Sequence, residues 1–242
     1  MNLMETSIAA AGVAGLAVGG YFYAGIWPAS QIFGRTLLAG RNPNEIALTF
    51  DDGPNDRCTL ELLEILARHE VRATFFMVGQ YVRQRPDIAR AVRDAGHLVG
   101  NHTVTHAMLM RCSAAQVREE LSGCNAMLED ALGQPVRYFR PPFGARRPYV
   151  LRHARSLGLT PVMWNVTGYD WNPRPAEEVA GILTAGIERN QKRGRASNLL
   201  LHDGGHLAMG ADRSHTLRAV EMLLAQGGEG REFVTVDRWG SV

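Results

Sequence analysis

The sequence predicts an α/β fold, a parallel sheet with crossover helices that is either open or closed into a barrel. Three observations carry this expectation. Short apolar runs alternate with longer amphipathic ones about seven times along the chain. The 242 residues, 45% of them hydrophobic, suffice for one sizeable core, and α/β barrels commonly use about 200–250 residues as a single domain. Polar clusters stand at the ends of the apolar runs, and in parallel α/β folds the C-terminal strand ends share one face.

In chain order, the first element is an apolar segment. Ser7 to Trp27, SIAAAGVAGLAVGGYFYAGIW, carries no charge over roughly the length that spans a bilayer. Residues 1–27 are therefore expected to form a hydrophobic helix acting as membrane anchor or signal-anchor, with packing on the soluble part as the other reading. Ala11, Gly15 and Gly19 recur every four residues, the spacing of a helix-packing face in membranes, although composition alone also produces it. Residues 28–44 hold Pro, Gly, Asn and Arg with weak periodicity and read as a linker into a domain at 45–242.

Within that domain the strand candidates are Ile46–Phe50, Ala73–Val78, Leu98–Asn101, Arg137–Phe139, Thr160–Trp164, Leu199–His202 and Phe233–Val236. Between them lie helical patterns such as CTLELLEILARHE, PDIARAVRDAG and SAAQVREELSGCNAMLEDALG, the last opening on Ser113 as N-cap. The formal charge of +2 is small, and the arginines are dispersed, so nothing points to nucleic acid. Cys58, Cys112 and Cys124 show no CxxC spacing, which favours buried thiols, with a Cys112–Cys124 bridge left open. Oligomeric state is not legible.

Five polar clusters follow the strand candidates. HTVTH sets His102 and His106 four residues apart, so on a helical turn both imidazoles face one way and can share a divalent metal. Asp51 and Asp52 in TFDDGP repel one another unless a cation lies between them; successive side chains point differently, so one can ligate metal while the other reaches water. Alone, the same stretch reads equally as a turn before Gly53-Pro54. In RPPFG two prolines stiffen the loop and leave the Phe143 amide as an aimed N–H for an oxyanion, while Arg140 can clamp a carboxylate. Asp170 and Trp171 in GYDWNP, and His202 in LLLHDGG, have bland readings as turn, core aromatic and strand-end residues. His206, beside Gly204-Gly205, reads as a solvated loop residue, with contact to the site as the other reading.

Taken together, TFDDGP, HTVTH, RPPFG, YDW and LLLHD resemble, in order, the five motifs of the polysaccharide deacetylases, the NodB-homology family or carbohydrate esterase family 4, over about Ile46 to Val236. The resemblance implies a distorted (β/α)7-type barrel and metal-dependent N-deacetylation of amino sugars. It implies Asp51 as general base, Asp52, His102 and His106 as metal ligands, and Arg140 as partner of the base. It further implies His202 as general acid tuned by Asp170, with Phe143, Trp171 and Leu200 serving the oxyanion and the acetyl pocket. Zn2+ is the metal implied, with Co2+, Ni2+ or Mn2+ as substitutes. Where many members carry Tyr in the third motif, this chain has Phe143, which costs one hydroxyl and leaves the backbone amide.

The expected substrate is an N-acetylated glycan of the cell envelope, peptidoglycan or chitin-like, with acetate released. A deacylase or deformylase of a lipid-linked amino sugar is the alternative, and a membrane-tethered, non-catalytic carbohydrate-binding protein the alternative of another class. Localisation is expected at the membrane or in the envelope, with the catalytic domain extracytoplasmic. Arg35 and Arg41, directly after the apolar segment, argue for the opposite orientation.

Overall fold

The structure, a computed structural model, describes residues 19–227 and 230–241. The expected anchor at 1–27 therefore falls largely outside the described residues, of which 19–26 form helix α1. No described helix is long and apolar enough to cross a membrane.

Seven parallel strands form one continuous path, in the order β5-β4-β3-β2-β1-β7-β6. They are β1 (Glu45–Gly53), β2 (Thr74–Met77), β3 (Leu98–Asn101), β4 (Tyr138–Phe139), β5 (Thr160–Pro161), β6 (Val166–Thr167) and β7 (Ser197–His202). A short β8 (Glu232–Phe233) pairs with the start of β1. The helices between them are α2 (Thr59–Arg68), α3 (Gly79–Gln84), α4 (Pro86–Asp94), α5 (Ala114–Leu132), α6 (Pro148–Ser156), α7 (Ala176–Lys192) and α8 (Ser214–Ala225).

One expected strand is two. Of the expected Thr160–Trp164 only β5 is strand, and β6 follows just past its end, at the opposite end of the path although only residues 162–165 separate the two. Five Cα steps reach roughly 18 Å at most, so the sheet has to curl until its ends nearly meet. The gap is crossed by side chains: Asn198 Nδ2 donates to Met163 O (2.8 Å) and Leu38 O (3.1 Å), and Asn198 N donates to Asn165 Oδ1 (2.8 Å). A barrel of this kind, closed by amide side chains instead of a ladder, is the distorted form that the motifs implied.

Residues 28–44, expected as a linker, take part in this closure. Leu37 is buried and forms a parallel bridge with Val162, extending the sheet beside β5.

Alternation along β1 sorts its side chains. Ile46, Leu48 and Phe50 join the large core beneath the helices, with Leu62 and Leu66 of α2 and Leu121 and Leu128 of α5. Burial of each such side chain stabilises the fold by roughly 1.5–3 kcal/mol. Ala47 faces the other way, into a small inner core with Phe76, Val162 and Val236. Thr49 and Asp51 continue this inner row toward the C-terminal end, so Asp51 lies at the top of the barrel interior.

Helix α5 starts as its sequence predicts. Ser113 Oγ accepts from Gln116 N and the Gln116 side chain accepts from Ser113 N, a capping box, and Gly133 ends the helix at φ 65. Cys58, Cys112 and Cys124 are all free thiols.

Candidate active site

The two carboxylates of TFDDGP lie inside β1, not after it. In a regular strand Asp52 would point away from Asp51. The register with β2 shifts between Asp51, opposite Phe76, and Gly53, opposite Met77, so Asp52 is the extra residue of a bulge, with φ 70. The bulge turns its carboxylate to the same site as its neighbour's.

HTVTH is an irregular loop, which corrects the expected helical turn. Thr103 and His106 have φ 67 and φ 60, left-handed values that no helix accommodates. The loop is held by Asn101 Oδ1, which accepts from Thr103 N (2.9 Å), and by Gly79 N and Gln80 N at the start of α3, which donate to Thr103 O and Val104 O (both 2.9 Å). Its two rings still meet, with centroids 5.0 Å apart.

Asp52, His102 and His106 are buried, and one ligand atom from each lies within 4.8 Å of the others. Asp52 Oδ1 is 3.4 Å from His102 Nε2 and 3.1 Å from His106 Nε2, yet makes no hydrogen bond of proper geometry. His102 Nδ1 donates to Arg140 O at 2.8 Å; a carbonyl only accepts, so the proton sits on Nδ1 and the Nε2 lone pair is free. Burial raises the Asp52 pKa, but the two imidazoles outweigh it and hold the carboxyl well below its usual range. Burial likewise lowers His106, favouring the neutral ring. An orphaned anionic oxygen facing the Nε2 atoms of two imidazoles fits a divalent cation, with room for further ligands.

Asp51 takes the other carboxylate role. Arg140, fully buried, donates from Nη1 to Asp51 Oδ1 (2.8 Å) and Thr49 Oγ1 (2.7 Å), and from Nη2 to Met163 O (3.2 Å). Its guanidinium lies 4.2 Å from the Phe76 ring centroid. Burial depresses the Arg140 pKa and Asp51 opposes that shift.

His202, at the end of β7, hydrogen-bonds through Nδ1 to Asp170 Oδ1 at 2.9 Å, leaving Nε2 for the cavity. Asp170 follows β6; it also accepts from His202 N (2.8 Å) and Thr216 Oγ1 (2.9 Å). Burial alone would lower the His202 pKa, but Asp170, with Asp52 and Asp51 beyond, pushes it up to about 9. Asp170 is lowered in turn, the ion pair outweighing its burial. His202 is thus a cation at neutral pH.

These groups open onto one cavity of about 750 Å3, whose walls include Phe143, Trp164, Trp171, Leu200 and the loop from Gly205 to Ala211. Phe143 sits in a single 3-10 turn, Pro142–Gly144, at φ 58, with its ring centroid 4.6 Å from that of His106. Trp171 stands edge-on to His202 at 5.7 Å. Asp52, His106 and Phe143 all hold positive φ, a concentration of backbone strain of the kind found at functional sites.

Eight of the ten expected site residues line this cavity, and the other two, Arg140 and Asp170, lie behind it, bonded to Asp51 and His202. Three more escaped sequence reasoning. Trp164 looked like the end of a strand, and Thr216 carries no motif. His206, read first as solvated and only second as a site contact, stacks on His106 with centroids 4.6 Å apart.

Comparison with known proteins agrees with this geometry. The family model described as polysaccharide deacetylase matches residues 39–162. The chain is 35% identical to a chitooligosaccharide deacetylase of Rhizobium leguminosarum bv. trifolii over 192 residues, 77% of this chain and 86% of that one. It is similar in structure to a peptidoglycan N-acetylglucosamine deacetylase crystallised with 4-naphthalen-1-yl-N-oxidanyl-benzamide, with TM-score 0.74, 28% identity, and coverage of 84% and 91% of the two chains. A family 4 acetyl xylan esterase from Clostridium thermocellum, in complex with a cobalt ion, matches with TM-score 0.70 and 29% identity over 81% of this chain and 89% of that one. Fold, ordered motifs and converged side chains lead to one assignment: the chain belongs to the polysaccharide deacetylase family.

Proposed function

We propose that this protein is a metal-dependent N-deacetylase that hydrolyses the acetamido group of N-acetylated amino sugars in a cell-envelope glycan, releasing acetate. The observation that carries this reading is the meeting of a buried Asp-His-His set, an Arg-paired carboxylate and a cationic histidine on one cavity. Amide hydrolysis needs an activated water, charge stabilisation and a proton donor, and the three parts supply them.

Asp52, His102 and His106 hold the metal, for which zinc is the first choice given two imidazoles and a carboxylate. When bound, the cation supplies Lewis-acid polarisation of the acetyl carbonyl and acidifies water. Asp51, paired with Arg140, accepts a proton from the water as its oxygen bonds to the carbonyl carbon. The Phe143 N–H receives part of the charge that develops on the carbonyl oxygen, a donor worth roughly 3–4 kcal/mol in comparable sites. His202 then passes its Nε2 proton to the sugar nitrogen as the C–N bond breaks, and Asp170 retains the ring orientation. Acetate and a free amine leave.

A membrane location remains part of the proposal. Tyr21, Phe22, Tyr23, Ile26 and Trp27 are exposed on and just after α1, at the end of the uncharged run that begins at Ser7. Tyr and Trp favour membrane–water boundaries. With a lipid-linked amino sugar as substrate the same chemistry would serve deacylation at that boundary.

Acetate release from peptidoglycan, chitin oligomers and lipid-linked amino sugars, measured after controlled metal loading, tests the reading. Turnover of the polymers or oligomers is expected; preference for the lipid-linked sugar would favour the alternative, and binding without acetate release would reject the enzyme.

A further inference from the structure

We propose that His206 is a substrate-binding residue that hydrogen-bonds a hydroxyl of the pyranose bearing the acetamido group. The inference rests on the deacetylase reading and adds a recognition element to it.

The loop that carries His206 is built, not loose. Tyr81, itself buried, donates from its hydroxyl to Gly205 O (3.1 Å) and His206 O (3.2 Å), and Arg213 Nε donates to Gly204 O (2.7 Å). Gly204 is pressed so closely on β1 that a Cβ there would stand 2.0 Å from Asp52 O. The backbone on both sides of His206 is therefore fixed relative to Asp52.

The side chain is held as firmly. Its ring stacks on His106 at an interplanar angle of 24°, and meets Phe143 edge-on with centroids 5.5 Å apart. Nδ1 is 3.9 Å from Asp52 Oδ2, beyond hydrogen-bond reach. Among the described residues neither ring nitrogen of His206 has a hydrogen-bond partner, and the side chain is 38% exposed in the cavity wall. His206 also stands outside the Asp52, His102 and His106 set whose ligand atoms converge. An imidazole packed between two rings, with its polar atoms unspent, is a donor and acceptor reserved for a ligand.

The chemistry of the cavity says which ligand group. Phe143, Trp171, Leu200 and Leu207 offer apolar surface suited to the C–H faces of a sugar ring. Asp51, Asp52, His102, His106 and His202 are committed to the amide. A hydroxyl entering this space loses water and needs a partner, and His206 supplies one beside the metal ligands, where the ring atoms next to the acetamido group must lie.

The test compares zinc-loaded full-length wild type, His206→Ala and His206→Asn on an N-acetylglucosamine oligomer and on p-nitrophenyl acetate, an acetyl ester without a sugar, with metal content measured for each. His206→Ala is expected to lose roughly tenfold more kcat/KM on the oligomer than on the ester. The loss should enter through KM, with metal content at the wild-type level and partial recovery in His206→Asn. Equal losses on both substrates, or loss of metal, would overturn the assignment. Wild type that cleaves the ester but not the oligomer would overturn the amino-sugar reading itself, which is a separate result.

Discussion

Arg140 Nη1 lies 2.8 Å from Asp51 Oδ1, with the guanidinium fully buried and the carboxylate residue only 4% exposed. The same guanidinium bonds Thr49 on β1 and Met163 beyond β5, so one side chain both pairs with Asp51 and helps close the barrel. Arg140→Met is expected to destabilise the fold by roughly 3–5 kcal/mol, because it leaves a buried carboxylate unpaired. Urea unfolding reads this, and a loss below about 1 kcal/mol would contradict a buried Arg140–Asp51 pair.

The proton donor gives a pH prediction. In the proposed role as acid His202 has to be protonated, so activity should fall as pH rises through its pKa, which Asp170 holds up at about 9 without metal. A bound cation offsets the share contributed by Asp51 and Asp52, so the basic limb of the loaded enzyme should lie somewhat lower. Asp170→Asn removes the largest upward cause and should move that limb down further, toward the ordinary histidine value near 6.5. An unchanged kcat/KM profile in Asp170→Asn would exclude His202 as the acid.

Metal binding should separate the two carboxylates. His102→Ala and Asp52→Ala each remove one of three convergent ligands, and the affinity for zinc should fall at least tenfold in either variant, read by competition with a chromogenic chelator. Asp51→Asn should keep its zinc. Equal loss in all three would mean that Asp51 is a ligand and not the base.

Backbone clearance gives a stability contrast. A Cβ at Gly204 would meet Asp52 O at 2.0 Å, whereas at Gly181, in the middle of α7, it meets nothing within 4 Å. Gly204→Ala should cost at least the upper end of the roughly 1–3 kcal/mol typical of overpacking. Gly181→Ala should stabilise by about 0.4–1 kcal/mol. Thermal unfolding of both variants checks the close approach of the loop to β1.

Much of this site was legible because each polar cluster follows an apolar run of β length, and parallel strands bring such ends together. What the sequence hid was backbone geometry. Nothing in DDG marks Asp52 as a bulged residue, yet the bulge is what lets adjacent side chains share one site. HTVTH has helical spacing, but Asn101 and the start of α3 hold it as a loop. Thr160–Trp164 reads as one apolar strand, and nothing in it shows that the chain leaves one edge after Pro161 and enters the other at Val166. His206 looked solvated because its anchor, Tyr81, lies 125 residues away in sequence.

The most direct measurement is acetate release from an N-acetylglucosamine oligomer by zinc-loaded wild type and Asp51→Asn, with metal content determined on the same samples. Wild type should release acetate, and Asp51→Asn should bind the same amount of zinc while losing about 100- to 10,000-fold in kcat. Full activity in Asp51→Asn would contradict the assignment of Asp51 as the base.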